Sequence, residues 1–181
     1  MERIILVGYM GAGKTTVGNA LAKALGMTFY DLDWYIQNRM RKKVVEIFAE
    51  RGEEAFRQME YNMLHEVAEF ENVIVSCGGG TPCFFDNMEY LNRQGHTVYL
   101  KATPEVHYKH LKMAKVERPL LKGKSDDELL RFISQQLAQR EQYYTKAQHV
   151  VDVTLLDDYD KIKTTVEHIR QLINPHTTKE Q

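Results

Sequence analysis

Cysteine is nearly absent from this 181-residue chain: Cys77 and Cys83 are the only two. That excludes a disulfide-stapled scaffold. A separation of six residues also fits neither a zinc knuckle nor a C-x-x-C redox pair, so both side chains are expected as free thiols in a reducing cytoplasm. Long apolar runs are absent too. None approaches the ~20 residues that cross a bilayer, and the chain enters an apolar stretch at Ile4, which leaves no room before it for a secretory leader. Charge of one sign is missing: 24 Lys and Arg stand against 25 Asp and Glu, for a net charge of −1. General nucleic-acid and membrane-surface binders, both of which need a positive field, are therefore disfavoured. There is no internal repeat and no low-complexity linker, and the length suits one domain. With 43% hydrophobic and 27% charged residues, the chain has the composition of a globular protein with a core.

Glycine is scarce, with 11 in all, but it is concentrated where it informs most. Gly8-Tyr9-Met10-Gly11-Ala12-Gly13-Lys14-Thr15 is a complete G-x-x-x-x-G-K-T phosphate-binding loop. The apolar run Ile4-Ile5-Leu6-Val7 before it predicts a buried strand, and Val17, Leu21, Ala24 and Leu25 after it recur at helical spacing. Strand, glycine loop and helix form the context in which the motif works. Backbone N–H groups of Gly11, Ala12, Gly13 and the helix start at Thr15 and Thr16 can point into one anion cradle. Lys14 can reach the β- and γ-phosphates of ATP, and the Thr15 hydroxyl can hold Mg²⁺.

Further strands are predicted at residues 28–33, 72–76, 96–100 and 149–153. They alternate with helices, which include one at 53–70 with Phe56, Met59, Met63, Val67 and Phe70 on its buried face. Another opens at a Ser125–Glu128 capping box and buries Leu129, Ile133 and Leu137, and a last one starts near Asp157. Such alternation means an α/β fold around a parallel sheet, with the ligand crevice at the carboxyl ends of the strands. Functional residues should then follow strands. Asp31 and Asp33 do, spaced i and i+2. They serve either as a metal-side acid and an acceptor for an attacking hydroxyl, or simply as a strand end and a helix cap. Gly78-Gly79-Gly80 follows the third strand, as a tight turn or as a place where ligand meets backbone. Arg57 lies beside its helix's apolar stripe, where an ion pair with Glu53 is the plain alternative. Arg140 continues the inward stripe 133, 137, 140, 144 and so needs an anion, from either the core or a ligand. Residues 109–124 carry Lys109, Lys112, Lys115, Arg118, Lys122 and Lys124 with Pro119 and Gly123. That stretch is a solvated loop or a lid in which Arg118 meets the transferring phosphoryl group. The seven histidines are scattered, and no metal cluster is expected of them.

Taken in order, these segments resemble the shikimate kinase family. Gly-Tyr-Met-Gly-Ala-Gly-Lys-Thr-Thr-Val-Gly at 8–18, Phe-Tyr-Asp-Leu-Asp at 29–33 and Gly-Glu-Glu-Ala-Phe-Arg-Gln-Met-Glu at 52–60 carry the likeness. So do Gly-Gly-Gly at 78–80, Arg-Pro-Leu-Leu at 118–121 and Arg-x-x-x-Tyr-x-x-Ala from Arg140. The resemblance implies a single three-layer α/β/α domain with a five-stranded parallel sheet in the order 2-3-1-4-5, a substrate-binding helical excursion at about 33–62 and a lid at about 109–124. It implies ATP as co-substrate, placed by Lys14, with Mg²⁺ held by Thr15 and by Asp31 through water. Asp33 would bind the ring hydroxyls of shikimate, Arg57 and Arg140 its carboxylate with the backbone of Gly78, Gly79 and Gly80, and Arg118 would act from the lid. A monomer is expected. The chain departs from the family early in the lid, where His107-Tyr108-Lys109-His110-Leu111-Lys112 replaces an expected arginine. It departs again after strand five, where Asp152-Val153-Thr154-Leu155-Leu156 lacks a polar, proline-bearing adenine loop. Two rivals remain: another small-molecule kinase of this architecture, such as a gluconate kinase, and a nucleotide-binding module without turnover.

Overall fold

The alternation in the sequence is realised as β1 (Arg3–Val7), α1 (Lys14–Leu25), β2 (Thr28–Asp31), α2 (Leu32–Met40), α3 (Val44–Ala68), β3 (Val73–Ser76), a 3₁₀ turn at Thr81–Cys83, α4 (Asn87–Gln94), β4 (His96–Lys101), α5 (Pro104–Met113), α6 (Asp126–Tyr144), β5 (His149–Asp152) and α7 (Tyr159–Ile173). The structure is a computed structural model and describes residues 2–113, 123–154, 156 and 158–174. The strands pair in parallel in the order β2-β3-β1-β4-β5, the order implied by the resemblance.

β1 shows why a run of apolar residues becomes the central strand. Its residues alternate between two cores. Ile5 and Val7 face one cluster with Phe56, Leu64, Leu91, Ile133 and Leu137, whereas Ile4 and Leu6 face another with Val17, Leu21, Val166 and Ile169. A parallel strand buried on both faces carries no polar alternation. Helices α3, α4 and α6 thus cover one face and α1 and α7 the other, which makes three layers. The register aligns Leu6 with Ser76 and Asp31 with Ser76 across the β1–β3 and β2–β3 pairs. The carboxyl ends of β1, β2 and β3 therefore finish along one edge, and all three chemistry-bearing segments leave from it.

Several expectations shift at the element ends. β2 stops at Asp31, whose carboxylate caps α2 by accepting from the backbone N–H of Trp34 at 3.2 Å. Asp33 therefore sits in the first turn of α2 and not on a strand end. On α1 the buried alanine is Ala22, while Ala24 is exposed. α3 is broken at Gly52, with φ 78 and ψ 173, so its second half begins where the 53–70 helix was predicted. Its buried line runs through Phe56, Glu60, Leu64 and Val67, with Met59, Met63 and Phe70 half-buried beside it. β3 begins at Val73 and β5 ends at Asp152, each one residue inside the predicted span. Arg118 and the rest of 114–122 lie outside the described residues, as do Met1, Leu155, Asp157 and 175–181.

Gly95 tests the sheet. It adopts extended backbone between α4 and β4, and a Cβ there would stand 2.3 Å from the Arg3 carbonyl oxygen and 2.7 Å from Arg3 Cβ. The obstacle is backbone of the central strand, which has no room to yield. Gly95→Ala is expected to cost about 2–3 kcal/mol of stability, the range of overpacked cores, measured as a lower denaturant midpoint at unchanged slope. An unchanged midpoint would show that β1 and the start of β4 are not held at this distance.

Candidate active site

The phosphate loop leaves β1 with left-handed backbone at Gly11 (φ 79) and Gly13 (φ 81), a region costly for any residue with a Cβ. Gly13 is the N-cap of α1 and supplies no side-chain cap, and the first turn of α1 carries no acid. The N–H donors of that turn are thus left to an outside anion, in the field of the helix terminus. Lys14 Nζ folds over the loop and donates to the carbonyls of Gly8 at 2.8 Å and Tyr9 at 3.0 Å. Thr15 Oγ1 donates to Asp31 Oδ2 at 3.2 Å, so the hydroxyl at the helix start and the acid at the end of β2 meet. Thr15 and Thr16 are exposed, and Ala12 is buried beneath the loop.

The glycine run after β3 forms the opposite wall, and it is there for space. Gly80 has an ordinary φ of −89, yet a Cβ on it would lie 2.8 Å from Arg57 Nη2. A Cβ on Gly79 would lie 3.5 Å from Arg140 Nη1 and 3.3 Å from the Met10 backbone nitrogen. One on Gly78 would lie 3.0 Å from Asp33 Oδ1. Three side chains from three helices, α2, α3 and α6, therefore rest on three consecutive glycines, and the middle one touches the phosphate loop. Arg57 and Arg140 converge.

Each guanidinium is held from behind. Arg57 Nη1 donates to Glu60 Oε2 at 2.9 Å and Nη2 to Glu53 Oε1 at 3.2 Å. Glu60 is only 2% exposed, and its other oxygen accepts from Thr81 Oγ1 at 2.6 Å. The Arg140 guanidinium carbon lies 5.5 Å from the centre of the Tyr9 ring, and the Tyr144 hydroxyl, one turn further along α6, donates to the Gly79 carbonyl. Burial pushes the Cys83 thiol up to about 11, against the pull of Arg140 and then Arg57. Both cations therefore act on one thiol. Burial likewise drives Cys77 far up, reinforced by Glu60, Asp33 and Asp31 and opposed by Lys14. Both thiols are free and protonated at neutral pH. Neither is a nucleophile.

Glu60 is the functional residue that hydrophobic periodicity missed. A charged side chain does not announce burial, but Arg57 at i−3 and the place of Glu60 at the close of the 52–60 motif are available signals. Glu53, the plain alternative for Arg57, does pair with it, in addition to the glycine-run contacts.

A sequence profile of the shikimate kinase family matches residues 10–173. The chain belongs to the shikimate kinase family. It is 55% identical to the shikimate kinase of Bacteroides fragilis over 176 residues, 97% of this chain and 98% of that one. The crystal structure of the shikimate kinase of Bacteroides thetaiotaomicron superposes with a TM-score of 0.94 at 53% identity, covering 96% of this chain and 98% of the other. That of Acinetobacter baumannii shikimate kinase in complex with shikimate gives 0.84 at 32% identity, covering 99% and 96%. A gluconokinase from Sinorhizobium meliloti gives 0.62 at 16% identity over 99% and 98%. That last likeness is one of fold alone. This family member is an enzyme of the kinase class with the P-loop kinase architecture.

Under the loop, the kinase carries a buried base. His107 is 1% exposed, and its ring stands edge-on to Tyr9 at 5.3 Å. Burial, and then the Lys14 ammonium, bring its pKa down to about 4 from 6.5. The folded protein thus keeps His107 neutral where the unfolded chain protonates it. Stability from this group is present above pH 6.5 and is lost as pH falls towards 4, by up to about 3 kcal/mol at 1.36 kcal/mol per unit. Denaturation midpoints between pH 7.5 and pH 4.5 should fall more steeply in the native protein than in His107→Phe. Parallel pH profiles would show that the ring is not kept from water.

Proposed function

We propose that this chain transfers the γ-phosphoryl group of ATP to the 3-hydroxyl of shikimate, giving shikimate 3-phosphate and ADP in aromatic amino acid biosynthesis. The observation that carries the reading is the meeting of Arg57 and Arg140 over Gly79 and Gly80, beside the phosphate loop. Two planar forks facing one space suit a carboxylate, which each can bind through paired hydrogen bonds.

The roles follow from position. The loop of Gly11, Ala12, Gly13, Thr15 and Thr16 cradles the phosphates, and Lys14 exchanges the Gly8 and Tyr9 carbonyls for phosphate oxygens. Thr15 and Asp31 already share a hydrogen bond and together fit Mg²⁺, which Asp31 would hold through water. Once bound, the ion would neutralise charge on the phosphate oxygens. Arg57, Arg140 and the backbone of Gly78, Gly79 and Gly80 hold the acceptor. Asp33, resting on Gly78, accepts a hydrogen bond from the acceptor's hydroxyls and orients the attacking one. As the hydroxyl oxygen bonds to the γ-phosphorus, the bond to the β–γ bridging oxygen breaks, ADP leaves, and the hydroxyl proton passes to Asp33 late in the step. A loose transition state asks little of a base, so orientation and charge stabilisation by Lys14 dominate. Arg118, outside the described residues, joins them from a lid at about 109–124, and about 33–62 serves as the acceptor-binding excursion. The chain works as a cytoplasmic monomer.

A gluconate kinase also accepts a carboxylate-bearing polyol, so arginines alone do not separate the two. The G-E-x-x-F-R spacing at 52–57 favours shikimate. An assay coupling ADP release to a panel of hydroxy acids decides: turnover on shikimate is expected, and turnover on another acid with none on shikimate would replace this reading. Arg57→Lys keeps a cation for Glu60 and loses the fork. It should raise KM for shikimate about 10- to 100-fold, the worth of a charge-assisted hydrogen bond, with KM for ATP within about twofold of wild type. Gly80→Ala should act in the same direction by pushing the guanidinium aside. Equal effects on both substrates would remove Arg57 from the carboxylate site.

A further inference from the structure

The Arg57 guanidinium is fixed in its own plane by carboxylates, but a planar cation on a long chain also needs a constraint across that plane. Its carbon lies 4.0 Å from the centre of the Phe84 ring, against 5.4 Å for Phe56 and 5.6 Å for Phe48. The first distance is direct cation–π contact, and the other two rings stand farther off within cation–π range. Phe84 reaches this place because the 3₁₀ turn at Thr81–Cys83 ends in extended backbone at φ −115 and ψ 150. The same turn places Thr81 to hold Glu60. One short segment therefore controls Arg57 in two directions, through Glu60 along the plane and through Phe84 across it. Arg57 Nε is buried and makes no hydrogen bond among the described residues. The flank of the guanidinium is thus steadied by ring faces and not by an acceptor.

We propose that Phe84 is a positioning residue for the acceptor carboxylate. It presses the guanidinium flat against the space over Gly80, so that the fork faces the substrate before the substrate arrives. Holding the fork in advance removes a rotamer cost from binding, which raises affinity without a new contact. The proposal rests on the reading of Arg57 as a carboxylate ligand.

The test is a double-mutant cycle with steady-state kinetics and calorimetric binding of shikimate. Phe84→Leu should raise KM and Kd for shikimate about 5- to 20-fold, as expected for loss of a desolvated cation–π contact, with kcat and KM for ATP within about twofold. Phe84→Tyr, which keeps the ring, should restore both constants. Phe85→Leu is the control. The same change one residue on, at a side chain 57% exposed and packed on Tyr61 at 5.1 Å, should behave as wild type. In the Arg57→Lys background the Phe84→Leu effect should shrink below about twofold. An undiminished effect there would overturn the proposal, because Phe84 would then act without Arg57. A neutral Phe84→Leu beside a damaging Arg57→Lys overturns it alone. A neutral Arg57→Lys overturns it together with the carboxylate assignment. Calorimetry reports the binding-competent fraction, so a poorly folding variant still yields a Kd.

Discussion

The whole site depends on one stretch of backbone with no side chains. Gly78, Gly79 and Gly80 carry Asp33, Arg140 and Arg57 respectively, and Gly79 also approaches the Met10 backbone nitrogen of the phosphate loop at the 3.3 Å that a Cβ would reach. A methyl group at Gly78 or Gly80 would intrude on a charged side chain, and one at Gly79 would crowd the Met10 backbone nitrogen. What makes this wall possible is the sheet register. β1 and β3 finish together, with Leu6 opposite Ser76 and the backbone N–H of Cys77 donating to the Leu6 carbonyl at 3.0 Å. The phosphate loop and the glycine run are therefore continuations of two adjacent hydrogen-bonded strands, so their spacing is set by the ladder and not by loops.

That geometry brings charges out of water, and their pairing explains the composition behind the wall. An isolated buried guanidinium or carboxylate is strongly disfavoured, and even a paired one contributes little net stability. Arg57 and Glu60 are accordingly joined, and Thr81 takes Glu60's second oxygen. Asn87 in turn donates to the Thr81 carbonyl at 2.8 Å. The chain of contacts is better understood as orientation than as a source of stability. It fixes the orientation of one arginine, and the apolar cores on both faces of the sheet are what hold the fold.

The sequence made some of this legible and hid the rest for physical reasons. The phosphate loop was readable because its glycines answer a steric demand, and a steric demand leaves a fixed spacing. The sheet was readable because double burial forbids polar alternation in β1, β3 and β4. The β-favouring Phe29 and Tyr30 extend the expected strand to Asp33. In the fold Asp31 caps a helix through its local bond to Trp34, and α2 starts two residues earlier. Glu60 was passed over because Met59 and Met63 offer an equally apolar stripe one residue away, and periodicity cannot choose between them. Arg57 at i−3, and the closing Glu of the motif at 52–60, are what mark the carboxylate. Phe84 left no signal: it follows a non-repeating turn, and its role exists only once α3 and the segment after β3 are side by side.

Lys14 and Arg57 are each already engaged by groups of the protein itself. Lys14 rests on the Gly8 and Tyr9 carbonyls, which are neutral acceptors, so on the proposed assignment an anionic phosphate would displace them with a gain in charge-assisted hydrogen bonding. Arg57 is already paired with anions. Glu60 is buried and fixed, while Glu53 is 61% exposed and holds Nη2 at 3.2 Å from the solvent side. Of these, the solvated partner is the cheaper to release, because its ion pair is screened. On the proposed assignment, then, an incoming carboxylate takes the place of Glu53 while Glu60 and Phe84 keep the fork aimed. Acceptor affinity is accordingly set by the difference between two carboxylates on one guanidinium. A free ring acid must also offset the translational and rotational entropy lost on association, which the tethered Glu53 does not lose, so it displaces Glu53 only by meeting both arginines at once.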